Sequence, residues 1–157
     1  MGLNFYIIKH MNTSKNLQTV RAILKNEVEG DVRAALEKMT DDYSMTWMYR
    51  RGDELFPSTG KSVESEMEET YPIQGRQYDI RNIAEGEHVV MVELIESYPD
   101  PKTGQVYRTP LVLVLEMKDG KIQKGRHYCD PRLSFDELSQ EQIEEGLKGT
   151  DSKEIVT

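Results

Sequence analysis

The 157-residue chain has one cysteine, Cys129, so no internal disulfide can form. A lone thiol fits a reducing compartment. Histidine is scarce as well: His10, His88 and His127 fall at no metal-ligand spacing, and no metal site is expected. Long apolar runs are missing. Leu3 to Ile8 is a short apolar patch followed by Lys9, His10 and Met11, too short for a signal-peptide core or a membrane span, and no small-residue cleavage site follows it. Basic charge is in the minority, with 20 Lys and Arg against 28 Asp and Glu and a net charge of −8. No basic stripe interrupts that balance. An acidic surface repels phosphate backbones and anionic lipid, so neither nucleic acid nor a membrane is an expected partner. Internal repeats and low-complexity segments are absent too. The expectation is a soluble, cytoplasmic protein of one domain, with Met11 an alternative start because the periodic sequence begins just after it.

Charged residues make up 31% of the chain and hydrophobic ones 37%. The apolar residues come in ordered runs, enough for a core. Thr13 or Ser14 can cap a helix whose Leu17, Val20, Leu24 and Val28 share one face, with Gly30 ending it. Asp31 caps a second, shorter helix carrying Val32, Ala35, Leu36 and Met39. Tyr43 to Arg50 alternates as a strand: Tyr43, Met45, Trp47 and Tyr49 on one face, Ser44, Thr46, Met48 and Arg50 on the other. Arg51 to Gly60, with Pro57, reads as loop. A third helix is expected over Lys61 to Tyr71, with Val63, Met67 and Tyr71 inward and a solvated acidic face through Glu64, Glu66, Glu68 and Glu69.

From Gln77 the period changes to two. Tyr78 to Glu85, His88 to Tyr98, Val106 to Lys118 and Lys121 to Asp130 are four successive strands. Glu85-Gly86, Pro99-Asp100-Pro101 with Thr103-Gly104, and Asp119-Gly120 join them as antiparallel neighbours. After Pro131, either Ser134-x-x-Glu137 or Ser139-x-x-Gln142 can cap a short acidic helix. Helices first, then a run of antiparallel strands, is an α+β order. Both faces are apolar in Leu111-Val112-Leu113-Val114-Leu115 and in Val89-Val90-Met91-Val92. Either the chain covers both faces or a second subunit does, and a homodimer packed through the sheet face is the expected arrangement.

Three N-terminal helices with a strand before the third, then a meander ending in Asp119-Gly120-Lys121-Ile122 and Arg126-x-Tyr128-x-Asp130-Pro131, resemble the nuclear transport factor 2-like superfamily. Within it the likeness is to SnoaL-like polyketide cyclases and ketosteroid isomerase relatives, and it covers roughly Leu17 to Leu133. The resemblance implies a cystatin-like conical barrel, with N-terminal helices packed on a curved antiparallel β-sheet around a pocket. It also implies a dimer and no cofactor. The chain divides into a tail over 1–12, a SnoaL-like domain over 13–133, and a short C-terminal helix and tail over 134–157.

Function does not follow from such a fold. Set in the isomerase register, the Asp41-Asp42 pair puts Trp47 where the general-base aspartate stands, and the second carboxylic acid falls near Val112. The isomerase mechanism as such is therefore not expected. The polyketide cyclases use an aspartate toward the end of the last strand, and Asp130 is the nearest residue here. Arg126, Tyr128 and Asp130 share one strand face. Asp130, its pKa raised by an apolar pocket, would be the acid or base, Tyr128 a donor to an enolate oxygen, and Arg126 a clamp for an anionic group. Against this stands a structural reading, in which Asp130-Pro131 ends the strand and Asp130 satisfies nearby amides. Trp47, Tyr43 and Tyr49 are candidates for an aromatic pocket wall, with core packing as the alternative. Glu93 and Glu96 point to opposite faces, so at most one faces the pocket, and Glu93 is carried forward as a binding candidate needing a partner such as Arg126. His127 and Cys129, opposite Tyr128, are expected to pack in the dimer face, with a Cys-His nucleophile pair at i, i+2 as the less favoured alternative because no third group orients it.

Two functions stay open. One is an acid-base enzyme of isomerase, cyclase or related type with a pocket for a small, mostly apolar organic molecule. The other is a non-catalytic ligand-binding or accessory module of the same fold. A protein-interaction domain is a third, less supported reading.

Overall fold

A computed structural model describes residues 14–56, 63–130, 132–133 and 139–157. Helix α1 (Lys15–Glu29) starts where the Ser14 side chain accepts from the Leu17 amide, and stops at Gly30, whose φ of 75° is the left-handed cap expected of glycine. A side chain at Gly30 would also meet the Tyr71 carbonyl, at 3.3 Å. Asp31 caps α2 (Val32–Leu36), which is shorter than the periodicity predicts: Met39 opens strand β1 (Met39–Trp47) instead of closing the helix. Only five residues separate the caps, and the side chain of Met39 still reaches the core.

Beyond Trp47 the chain leaves the sheet. Arg50–Arg51 (β2) and Glu54–Leu55 (β3) pair as a small hairpin where a loop is expected, and Tyr49 precedes it rather than extending β1. Helix α3 (Val63–Thr70) buries Met67, and Tyr71 follows it, buried. Thr13, Pro57, Gly60, Lys61, Ser134 and Glu137, and the patch from Leu3 to Met11, lie outside the described residues.

The four predicted strands are β4 (Gln77–Glu85), β5 (Val89–Pro99), β6 (Val106–Lys118) and β7 (Lys121–Tyr128). They run antiparallel, with Asp119 and Gly120 both at positive φ in the β6–β7 turn. Ser139 caps the C-terminal helix α4 (Gln140–Gly146), in a reciprocal pair with Gln142. A last strand, β8 (Glu154–Val156), lies in the segment read from sequence as tail and pairs antiparallel with β4.

The six-stranded order is β1-β7-β6-β5-β4-β8, with β1 parallel to β7. Among the described residues β1 and β8 are free edges, so the sheet is an open curved half-cone, not the closed barrel expected. Its inner face carries Val90, Val92, Leu94, Leu111, Leu113, Leu115, Met117 and Ile122, packed with Val20, Ile23 and Leu24 of α1 in one core.

The outer face is covered in part by the chain itself. The β4 register skips Arg81, a β-bulge that leaves this buried guanidinium free to bind Asp79, Glu144 of α4 and the Thr150 carbonyl. At that end Ile95, an outer-face residue, is only 3% exposed. Elsewhere the outer face stays open, with Met91 44% and Tyr128 41% exposed beside half-buried Val112 and Val114.

Candidate functional site

Between the inner face and the helices lies a cavity of about 650 Å³, within the range that takes small organic ligands. Strand register sets its long axis. Along β6 the inward residues run Met117, Leu115, Leu113, Leu111, Thr109, each two residues and roughly 7 Å from the next. β5 matches them with Val90, Val92, Leu94 and Glu96, and β7 with Ile122, Gly125 and His127. The Met117 end is shut by α1: Thr19 Oγ1 donates to the Gly120 carbonyl at 2.7 Å, and Lys15 Nζ to the Asp119 carbonyl at 3.2 Å. The opposite end is flanked by exposed Arg50, Arg51 and Arg132. The cavity therefore has an apolar floor and a polar mouth.

Tyr43, Met45, Trp47 and Tyr49 form one wall. Gly125 lets them lie close against β7: a Cβ there would stand 2.6 Å from Met45 Cε and 3.4 Å from the Tyr43 hydroxyl. The aromatic residues singled out in the sequence thus line the cavity.

The other sequence candidates do not reach it. Arg126, Tyr128 and Asp130 have the outward parity of β7. Arg126 binds Glu116 at 2.5 Å on the outer face, and Tyr128 is exposed. Asp130, past the strand end, accepts from the Arg132 amide at 3.0 Å and from its guanidinium at 2.5 to 3.1 Å. The Arg132 side chain and amide hold its carboxyl below the usual carboxylate range, the reverse of the shift expected of a pocket acid. That is the capping role weighed against catalysis. Glu93 faces outward too and accepts from Asn82 at 2.6 Å. The two faces of β7 alternate as expected but with the opposite sign: His127 and Cys129, expected in a dimer face, line the cavity. Burial lowers the His127 pKa to about 4, so the ring is neutral, and its Nδ1 is buried with no partner among the described residues. Burial, with Glu96 nearby, pushes the Cys129 thiol up to about 11, which leaves it protonated and unreactive.

The cavity's chemistry rests on Glu96, the alternative to Glu93 in the sequence, and on Arg76, Glu27, Tyr78 and Tyr98, which no sequence signal singles out. Arg76, in the approach to β4, is 5% exposed and placed between two carboxylates, Glu27 of α1 and Glu96 of β5. It binds Glu27 closely and Glu96 at 3.0 Å, donates to the Thr70 carbonyl at 2.9 Å, and lies 5.4 Å over the Tyr98 ring. The Tyr78 hydroxyl stands 3.5 Å from both Arg76 and Glu96. Two largely buried carboxylates share one cation, so one of them tends to keep its proton. Burial raises the Glu96 pKa, Arg76 opposes the rise and Glu27 adds to it, with a result of about 7. Burial also raises the Tyr78 and Tyr98 hydroxyls, which stay neutral donors. Glu27 and Glu96 are the only acidic residues among the described lining. The one sequence signal for Glu96 was a carboxylate in an otherwise apolar strand.

No group of three His, Cys, Asp or Glu side chains suited to a metal ion occurs among the described residues. None of the described helices is long and apolar enough to cross a membrane.

No protein-family model matches the sequence, and no curated protein sequence matches it significantly. Solved structures do match in shape. An LEH-like epoxide hydrolase from M. tuberculosis superposes with a TM-score of 0.57 at 17% identity, covering 85% of this chain and 96% of its own. An NTF2-like protein from Cytophaga hutchinsonii gives 0.56 at 16% identity, covering 78% and 95%. A SnoaL-like candidate polyketide cyclase from Jannaschia sp. CCS1 gives 0.60 at 15% identity, covering 80% and 92%. Helices packed on a curved, mostly antiparallel open sheet around a deep cavity, together with these likenesses, give this chain the NTF2-like α+β fold.

Proposed function

We propose that the cavity binds a small, mostly apolar organic molecule and that Glu96 transfers a proton on it, in chemistry of the isomerase, cyclase or lyase kind. The observation that carries this reading is a carboxyl that titrates near neutrality in the wall of a largely apolar cavity. A group with a pKa near the working pH is both a competent acid and a competent base. Arg76 holds one Glu96 oxygen and so fixes its orientation. Tyr98 and Tyr78 supply neutral hydroxyls able to stabilise an oxyanion as the proton moves. Trp47, Tyr43 and Tyr49 give the substrate a broad aromatic wall. Among proteins of this shape, an epoxide hydrolase and a candidate polyketide cyclase are compatible with such use of the cavity.

The second reading is a binding module without chemistry, favoured by one observation: Glu96 already has a cation partner, so the Glu27–Arg76–Glu96 cluster also works as a strut between α1 and the sheet. A panel of apolar epoxides and enolisable ketones, followed by NMR in D2O for ring opening and deuterium uptake, separates the two. The enzyme reading expects turnover or exchange with wild-type protein and its loss in Glu96→Gln with binding retained. Turnover that survives Glu96→Gln removes Glu96 from the mechanism. Binding without turnover across the panel favours the module.

We propose further that the open part of the outer sheet face, around Met91, Val112, Val114 and Tyr128, packs against a second copy of the chain. Cytoplasmic residence is our reading of the single free thiol.

A further inference from the structure

The cavity's charges are sorted by depth. Floor positions Val20, Met39, Leu115 and Ile122 are apolar, the Glu96 carboxyl stands roughly 20 Å up β6 and β5 from the Leu115–Val90 level, and Arg50, Arg51 and Arg132 line the cavity from the segments that follow β1 and β7. A chain with net charge −8 has thus put three guanidinium groups at one opening. They come from two unrelated segments, the β2 hairpin strand and the residues after β7, which leave the sheet at the same end because β1 and β7 run parallel, with Trp47 opposite His127. Their states differ. Arg132 is engaged with Asp130. Arg50 donates to the Gly52 carbonyl at 2.9 Å and lies 3.8 Å from Asp53. Arg51 pairs with Glu54 through the hairpin backbone, and its side chain, whose charge acts on the Tyr49 hydroxyl, makes no hydrogen bond or ion pair among the described residues. Asp53, Glu54 and Asp130, the acidic neighbours, are absent from the described lining.

We propose that the ligand is an amphipathic organic anion that enters tail first: its apolar end pointing down toward the Met39–Leu115–Ile122 floor, its reacting carbon beside Glu96, and its carboxylate or phosphate at the mouth on Arg51, supported by Arg50. This deepens the pocket reading and rests on it. The order follows from the chemistry of each level. A buried anion on the floor would meet no donor, and Arg76, the one guanidinium at depth, is already taken by Glu27 and Glu96. An anion at the mouth meets a guanidinium suited to two-pronged binding of carboxylate or phosphate while staying partly solvated. Placing charge at the mouth also keeps it away from Glu96, whose proton a nearby anion would otherwise hold more tightly.

The test is displacement of the neutral fluorophore N-phenyl-1-naphthylamine from the full chain by decan-1-ol, decanoate and decyl phosphate. At low salt, at least one of the two anions should displace it at about tenfold lower concentration than the alcohol, the ratio for one charge-assisted hydrogen bond. That advantage should collapse in Arg50→Ala/Arg51→Ala, survive in part in Arg51→Lys, and fade in about 1 M salt, where charges are screened within ~3 Å. The decan-1-ol value should stay unchanged in the double variant, which also shows that the cavity is intact. Equal displacement by alcohol and anions in wild type overturns the proposal while leaving the pocket reading in place. An anion advantage unchanged in the double variant overturns the Arg51 assignment. If neither the fluorophore nor any of the three amphiphiles binds wild-type protein, the pocket reading falls and this inference with it.

Discussion

Replacing Glu96 by glutamine should change the pH dependence of stability more than stability itself. Glu96 titrates at about 7 in the folded chain against an ordinary 4.5. Between those values the folded state holds a proton that the unfolded state has released, so stability falls as pH rises, by roughly 3 kcal/mol over the window at ~1.4 kcal/mol for each pH unit. His127 does the reverse. Its pKa drops from 6.5 to about 4, so between those values the unfolded chain binds the extra proton and stability falls as pH falls, again by roughly 3 kcal/mol. The two windows overlap, and in wild type their contributions nearly cancel across the mildly acid range. Glu96→Gln removes one of them. The variant should match wild type near pH 4, gain on it up to pH 7, and lose stability on acidification through the uncompensated His127. His127→Asn should tilt the opposite way. Urea melts from pH 4 to pH 8, followed by circular dichroism and by Trp47 fluorescence, measure this directly. A difference between Glu96→Gln and wild type that is constant across that range would refute the reasoning, since it would mean that Glu96 titrates as an ordinary surface carboxylate.

Arg76→Met leaves Glu27 and Glu96 without their shared cation and should cost about 3 kcal/mol at pH 8, with the loss shrinking on acidification as the carboxylates take up protons; urea midpoints at both pH values check it. Leu94, 1% exposed and outside the cavity lining, tests the core: Leu94→Ala should cost about 3 kcal/mol without altering ligand binding. Met91→Glu should leave monomer stability within about 0.5 kcal/mol, because the side chain is already 44% exposed. If the outer face joins two copies, light scattering after size exclusion should show a wild-type dimer reduced to a monomer by this change. A wild-type monomer would leave that face to solvent.

Much of the local architecture was legible because its causes are local. The Ser14 and Asp31 side chains each accept from an amide three residues on, Gly30 alone fits its left-handed cap, and Asp119-Gly120 makes the β6–β7 turn. Each of these signals lies within a few residues of its effect. Met39 was misplaced because its spacing also continues the α2 pattern, and its place in β1 comes from pairing with Ile122. β8 was missed for the same reason. A three-residue strand has almost no signal of its own and exists because β4 offers it an edge.

The sequence by itself determined the α+β order, the strand and helix spans to within a few residues, and the two alternating sets of side chains on each strand. Period two separates those sets but does not say which one faces the helices. Tertiary packing made that choice: it put Glu96, His127 and Cys129 inside and Glu93, Arg126, Tyr128 and Asp130 outside. It also built the charged cluster, since Glu27 and Arg76 stand 49 residues apart and Arg76 and Glu96 stand 20 apart. Proximity of that kind, and the burial that raises the Glu96 pKa, arises only when α1 packs over the curved sheet.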